Sequence, residues 1–277
     1  HKSKFKPMFS LKRGFFFVYT INMNKKIIND INKLVTNQKY YVKFKNNTYK
    51  SFSNNYWEII KDPDNKTRVR TSVLEKKNFL KNVEYIIKFI NSYDKKNNKK
   101  IFDIGCGLGH LLSAVKKGKR KLYGCELDDF ATNHAKKYGT IYCDKFENIK
   151  IKPSSIDLFV CHHVIEHVDN PLIFIKHINE ALKKNGILIL ATPDFDSAMS
   201  RRYRLRYRMF HDKTHVNFFT NDSMHRFVRD NGFKILDVQY PFFETSYFNK
   251  RNLMKLFDKK KISPPFYGNF MTFFCSK

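Results

Sequence analysis

The chain reads as an α/β protein with a mostly parallel sheet, helices on both faces and an antiparallel pair of strands at its end. Three observations predict this. From residue 100 onward, short continuous apolar runs alternate with amphipathic segments, the pattern of strands buried on both faces. Three glycines, Gly105, Gly107 and Gly109, stand at alternate positions just after the first of those runs, where a strand hands over to a helix. The last two apolar runs have no full helical crossover between them, so they pair most easily as antiparallel neighbours at one edge.

The elements follow in order. Ser72-Val73-Leu74-Glu75 has the form of a capping box and predicts a helix start. Leu74, Phe79, Val83, Ile86, Ile87 and Ile90 mark its apolar face. The charged run 91–100 is the best internal boundary. Strands are then predicted at 100–104, 121–126, 140–143, 156–161 and 187–191. Helices are predicted at 110–117, 129–138 and 171–184, the last closed by Asn185-Gly186. A helix over 221–231, stopped by Gly232, leads to strands at 234–239 and 270–275. The expected organisation is a non-native or disordered leader over residues 1–22, with Met23 as a natural start, and a lid and helical extension over 23–98. A ligand-binding domain over 99–277 follows.

Composition narrows the function classes. At 277 residues with 42% hydrophobic content the chain can bury a large core and is not wholesale disordered. A formal charge of +28 would draw phosphate polyanions or an anionic membrane face. Much of the lysine sits in scattered pairs such as Lys95-Lys96 and Lys116-Lys117, as an AT-rich coding sequence would give, and that reading ranks ahead of nucleic-acid binding. The five cysteines form no CxxC pair, so no cysteine zinc site is expected. Cys106, Cys125, Cys143 and Cys161 end apolar runs and are expected to be small buried hydrophobes in a reducing cytoplasm. No apolar stretch approaches the roughly 20 residues of a membrane span.

The glycine loop is a device for gripping a ligand with backbone, because glycine accepts positive φ and lets the chain approach closely. A dinucleotide fingerprint wants glycine at the sixth position, which here is His110. The acid before the loop, Asp103, would repel a pyrophosphate and suits a cationic amino-acid head group. Glu126 ends the second strand, where an acid reaches ribose hydroxyls; the plainer reading is an acid at a helix N-terminus.

Ile101-Phe102-Asp103-Ile104-Gly105-Cys106-Gly107-Leu108-Gly109 resembles the first motif of class I S-adenosylmethionine-dependent methyltransferases, and 157–167 resembles their fourth-strand motif. The resemblance covers about residues 75–277. It implies a Rossmann-like, seven-stranded sheet with an antiparallel C-terminal hairpin. It also implies S-adenosylmethionine as cofactor, held by Asp103, Gly105, Cys106, Gly107, Gly109, Glu126, Leu127, Asp144 and His162. Glu126 matches the ribose acid and Asp144 the acid that meets the adenine amino group.

Histidines supply the candidate catalysts. Methyl transfer to oxygen needs positioning and a base for the leaving proton, and a neutral imidazole can be that base. His215 is the first choice, with His167, His163 and His211 behind it; a histidine packed under Phe218-Phe219 as a structural residue is the plainer reading of His215. A similar Glu-x-x-Glu-His segment holds a divalent metal in quinone-pathway O-methyltransferases and small-RNA 3′-end methyltransferases. Here His163 replaces the first Glu, so a metal at His163, Glu166 and His167 is the lesser alternative to a metal-free site. The segment 201–208 interleaves five arginines with Tyr203 and Tyr207, suited to an anionic acceptor or RNA, or simply a solvated basic lid. Tyr56-Trp57 is read as a lid over the cofactor or a core anchor, and the aromatic stretches 240–247 and 264–274 as acceptor walls or sheet cover. The 211–215 segment and the Pro264-Pro265-Phe266 tail resemble bacterial methyltransferases of surface-polysaccharide synthesis. The resulting expectation is a cytoplasmic O-methyltransferase of a small molecule or saccharide, with an RNA methyltransferase as the alternative. A non-catalytic partner that keeps the cofactor fold ranks third.

Overall fold

The computed structural model describes residues 26, 28–31, 33–35, 40–43, 56–61, 67–212 and 214–277; the leader expected over residues 1–22 lies outside them. Chain order runs β1 (Val42–Lys43), β2 (Ile59–Lys61), β3 (Thr67–Val69), α1 (Val73–Asn82), α2 (Glu84–Tyr93), β4 (Lys100–Ile104), α3 (His110–Val115) and β5 (Lys121–Glu126). It continues with α4 (Asp129–Ala135), β6 (Thr140–Cys143), β7 (Ile156–His162), α5 (Pro171–Ala181), β8 (Leu182–Pro193) and α6 (Ala198–Tyr203). The last elements are β9 (Asn217–Phe218), α7 (Asn221–Asp230), β10 (Lys234–Gln239), α8 (Lys250–Lys255) and β11 (Phe270–Ser276).

Seven strands make one sheet in the order β10-β11-β8-β7-β4-β5-β6. The pairs from β8 to β6 are parallel, and β11 runs antiparallel to both β8 and β10. The expected final hairpin is therefore present, with β11 inserted and β10 at the edge. Side chains alternate between faces. Phe102, Phe159, Cys161, Leu188 and Phe273 pack with Phe174 and Ile178 of α5 and Phe227 of α7. Ile101, Leu158, Val160, Ile189 and Phe274 pack on the other side with Val83, Ile86 and Ile90. Two covered faces are the reason these strands read as unbroken apolar runs. Ser72 Oγ accepts from Glu75 N at 3.2 Å and caps α1. The buried Arg120–Asp94 pair, 2.7 Å apart, ties the end of α2 to the start of β5.

Two expectations are corrected here. The helix predicted over 171–184 ends at Ala181, because Leu182 is extended and fully buried and pairs with Ile156. Asn185, at φ 59°, shapes a bulge in β8 instead of a helix cap. Cys143 is exposed: β6 is an edge strand, of which only Ile141 is buried. No helix among the described residues is long and apolar enough to cross a membrane. Because β4 to β8 are parallel, their carboxyl ends form one edge, the edge where open α/β sheets bind ligands.

Candidate functional site

The loop after β4 turns through positive φ at each glycine, 67° at Gly105, 50° at Gly107 and 72° at Gly109. Gly109 then starts α3 as its N-cap. Cys106 is buried, and its backbone N donates to Cys125 O at 3.0 Å, which pins the loop to β5. Glu126 accepts from Gly107 N at 3.0 Å and from Leu127 N at 2.8 Å, so it orders the loop and the start of the next turn together. Asp103 lies beneath the loop, buried, with no hydrogen-bond donor on its carboxyl among the described residues. Burial, and then the neighbouring Glu126, push that carboxyl up to about 8. Burial raises Glu126 as well. Leu127 and Asp144 are exposed at the ends of β5 and β6. Asp144 accepts from Lys145 N at 2.7 Å and from Asn148 Nδ2 at 2.8 Å. His162, at the end of β7, packs edge-on to Phe79 and His163, and burial holds it well below the usual imidazole range.

The second half of the site is built on the loops after β7 and β8. Glu166 is fully buried. Its carboxylate accepts from His163 Nδ1 at 3.1 Å and from Thr192 Oγ1 at 3.0 Å. Its backbone O accepts from Val216 N at 2.8 Å and Asn217 N at 3.0 Å, which clasps the two loops together. Burial would raise the Glu166 carboxyl, but the His163 bond and the surrounding imidazoles outweigh it and hold it at about 2. His167 Nδ1 donates to Thr214 O at 2.9 Å, and His215 Nδ1 donates to Met209 O at 2.9 Å. A carbonyl only accepts, so each ring carries its proton on Nδ1 and keeps Nε2 as the basic nitrogen. The two rings lie 5.0 Å apart. Burial lowers His167, so it is neutral near pH 7. Asp212 Oδ2 stands 3.7 Å from His215 Nε2. His163 holds φ 59°, a left-handed conformation costly for a side chain of its size. His211 is exposed, donates from Nε2 to Leu205 O at 3.0 Å, and lies outside this group.

A model of the methyltransferase-domain family matches residues 76–238, more than half of the chain. The chain belongs to that family. The mitochondrial ubiquinone biosynthesis O-methyltransferase of Schizosaccharomyces pombe is 26% identical over 161 residues, covering 52% of this chain and 58% of that protein. The ubiquinone biosynthesis O-methyltransferase of Histophilus somni is 29% identical over 108 residues, covering 34% of this chain and 44% of that protein. The chain spans about half the length of these curated relatives. A SAM-dependent methyltransferase of Archaeoglobus fulgidus superposes with TM-score 0.51 at 16% identity, covering 70% of this chain and 94% of that one. The magnesium protoporphyrin IX methyltransferase of Synechocystis PCC 6803, solved with bound SAH, gives 0.52 at 12%, covering 76% and 89%. At such identities the likeness is one of fold. By family and by sheet order the chain has the class I methyltransferase fold.

The residues present fit S-adenosylmethionine, the cofactor of that family. A buried acid, Asp103, and a half-buried one, Glu126, with no counter-cation on either among the described residues, suit a cationic ligand. Bound S-adenosylmethionine supplies an electrophilic methyl on a positive sulfur. Because the Asp103 carboxyl sits at about 8, it is protonated in the free protein below that pH. A bound cation favours the carboxylate, so binding releases a proton. Cofactor affinity by calorimetry is expected to climb from about pH 6 to about pH 8, by at most about tenfold per unit, and then level off. Asp103→Asn should flatten the curve; an equal climb in that variant would assign the proton elsewhere.

The donor set also fits a divalent metal. Ligand atoms of Glu166, His167 and His215 all lie within 4.8 Å of one another. Both imidazoles are oriented by carbonyls on Nδ1, as in two-histidine, one-carboxylate sites. The grouping takes His215 where the sequence offered His163, because His163 Nδ1 is turned onto Glu166.

Above the glycine loop, the Trp57 ring lies against Gly107, and Arg70 stacks 4.3 Å from the Tyr56 centroid and 4.6 Å from that of Trp57. The 201–208 tyrosines are not open for stacking against an acceptor or RNA. Tyr203 and Tyr207 are buried, and Tyr207 OH donates to Asp194 O at 2.8 Å. Tyr203 shares the buried face of α6 with Met199 and Ser200.

Proposed function

We propose that the chain transfers a methyl group from S-adenosylmethionine to an oxygen of a small-molecule acceptor. In this reading residues 99–277 form the cofactor-binding domain and 23–98 the lid and helical extension, in the cytoplasm. His215 takes the acceptor proton on Nε2, Asp212 stabilises the imidazolium that results, and His167 lines the same space. The observation that carries this is the His167–His215 pair, oriented by carbonyls and clasped by Glu166 on the edge that also holds the glycine loop. The ubiquinone biosynthesis O-methyltransferases among the relatives support oxygen as the methylated atom; their names lend nothing to a saccharide acceptor.

A second reading keeps the reaction and gives Glu166, His167 and His215 to a divalent metal, favoured by their convergence. There the metal would lower the acceptor hydroxyl's pKa, and His163 would orient Glu166.

The test against an RNA acceptor is ionic strength. Methylation of a small hydroxylated acceptor, followed by mass spectrometry, is expected to persist at about 0.5 M salt, whereas an RNA bound through many phosphates would be released. Turnover on structured RNA alone, abolished by salt, would overturn the small-molecule reading.

A further inference from the structure

The connection from β10 to β11 has no part in the chemistry above. Phe270 pairs with Pro193 at the carboxyl end of β8, so residues 240–269 sit on the rim of the site. This connection turns large apolar side chains outward: Phe243, Phe248, Met254, Phe257 and Tyr267 are all exposed, Met254 at 62% and Phe257 at 82%. Phe248 and Tyr267 flank Phe243, with ring centroids at 5.4 and 5.7 Å. Met254 and Phe257 stand on α8 and the turn after it. Tyr203 OH donates to Lys255 O at 3.0 Å, and Arg202 Nη2 donates to Leu256 O at 3.2 Å, so this turn is fastened to the 201–208 segment.

Exposed cations surround the apolar side chains. Lys250, Arg251, Lys259, Lys260 and Lys261 lie on the connection itself. Arg202, Arg204 and Arg206 lie on the segment fastened to it, where Ser263 N donates to Arg206 O at 2.8 Å. The connection carries only two acids, Glu244 and Asp258, and Asp258 is paired with Lys261 at 3.0 Å.

We infer that this face docks on an anionic bilayer surface, with the aromatic rings, Met254 and Phe257 entering the interface and the cations meeting lipid headgroups. Apolar side chains bordered by lysine and arginine are the chemistry of interfacial membrane binding. Single-stranded nucleic acid would draw on open rings interleaved with the arginines. The tyrosines that interleave the arginines are buried at 4% and 0% exposure, and the most open side chains include Met254, which has no ring.

The test is co-sedimentation of the full chain with vesicles. Binding is expected to vesicles that mix phosphatidylglycerol with phosphatidylcholine, and not to phosphatidylcholine alone. Met254→Ser with Phe257→Ser should weaken it by about tenfold or more, and Lys259→Gln and Lys260→Gln by about fivefold each. These side chains touch no part of the site, so cofactor affinity and the melting curve should stay at wild type in all of them. Equal binding to uncharged vesicles, or binding unmoved by the Met254/Phe257 pair, would overturn the inference. So would vesicle-independent self-association that the pair abolishes, or a single-stranded RNA held by the same residues while vesicles are ignored.

Discussion

Gly107→Val is expected to abolish cofactor binding, with affinity falling by more than about 100-fold, and to release Trp57 from the glycine loop. Two effects act together. Gly107 sits at φ 50°, where a β-branched residue is strained by about 1–2 kcal/mol. An added Cβ would also lie 2.6 Å from Trp57 Cζ3 and 3.1 Å from Cζ2, so the indole or the loop has to move. Movement of the loop breaks the bond from Gly107 N to Glu126. Trp57 is the only tryptophan in the chain, so its emission reports the displacement directly, and calorimetry reports the affinity. Glu126→Ala is the graded comparison: it removes the carboxylate without crowding Trp57 and should weaken binding by about 1–3 kcal/mol. Wild-type affinity in Gly107→Val would take the cofactor away from this loop.

Chemistry held within a few residues was legible in the sequence. Gly105, Gly107 and Gly109 follow Asp103 on one strand-loop-helix unit, and a spacing alone describes that unit. The same holds for the sheet, whose strands are buried on both faces and so read as unbroken apolar runs. What the sequence hid was partner choice across loops. His167 and His215 were each visible, but their pairing depends on Val216 N and Asn217 N closing on Glu166 O, and main-chain bonds of that kind leave no residue signature. Thr192 and Asn217 gave no signal: one ends a strand and the other stands in an aromatic run, yet Thr192 anchors Glu166 and Asn217 Nδ2 donates to Val168 O at 2.7 Å. Asp212 was in view between two histidines without a role, because its approach to His215 is set by the turn that also gives it Thr214 Oγ1 at 2.6 Å. The arginine–tyrosine segment misled for a related reason. Alternation reads the same whether the rings point out or in, and here both point in.

His215→Ala is expected to lower kcat by about 10²–10⁴-fold while cofactor affinity stays near wild type. His215 Nδ1 is fixed on Met209 O, which leaves Nε2 to take a proton. Asp212 Oδ2, at 3.7 Å, is placed to favour that nitrogen only once it is charged. Asp212→Asn should therefore lower kcat too, by a smaller factor, and leave KM nearly unchanged. Glu166→Gln separates the two readings of the site. As a clasp, Glu166 works through its backbone O and its bonds to His163 and Thr192, so the amide should keep much of the activity, and chelators should do nothing. As a metal ligand, Glu166 would join His167 and His215 as a severe variant, and activity would disappear with chelator and return with added divalent ion. Near-normal kcat in His215→Ala, with or without chelator, would remove it from both mechanisms. The base would then be sought at His167, whose Nδ1 is anchored the same way on Thr214 O and which burial keeps neutral.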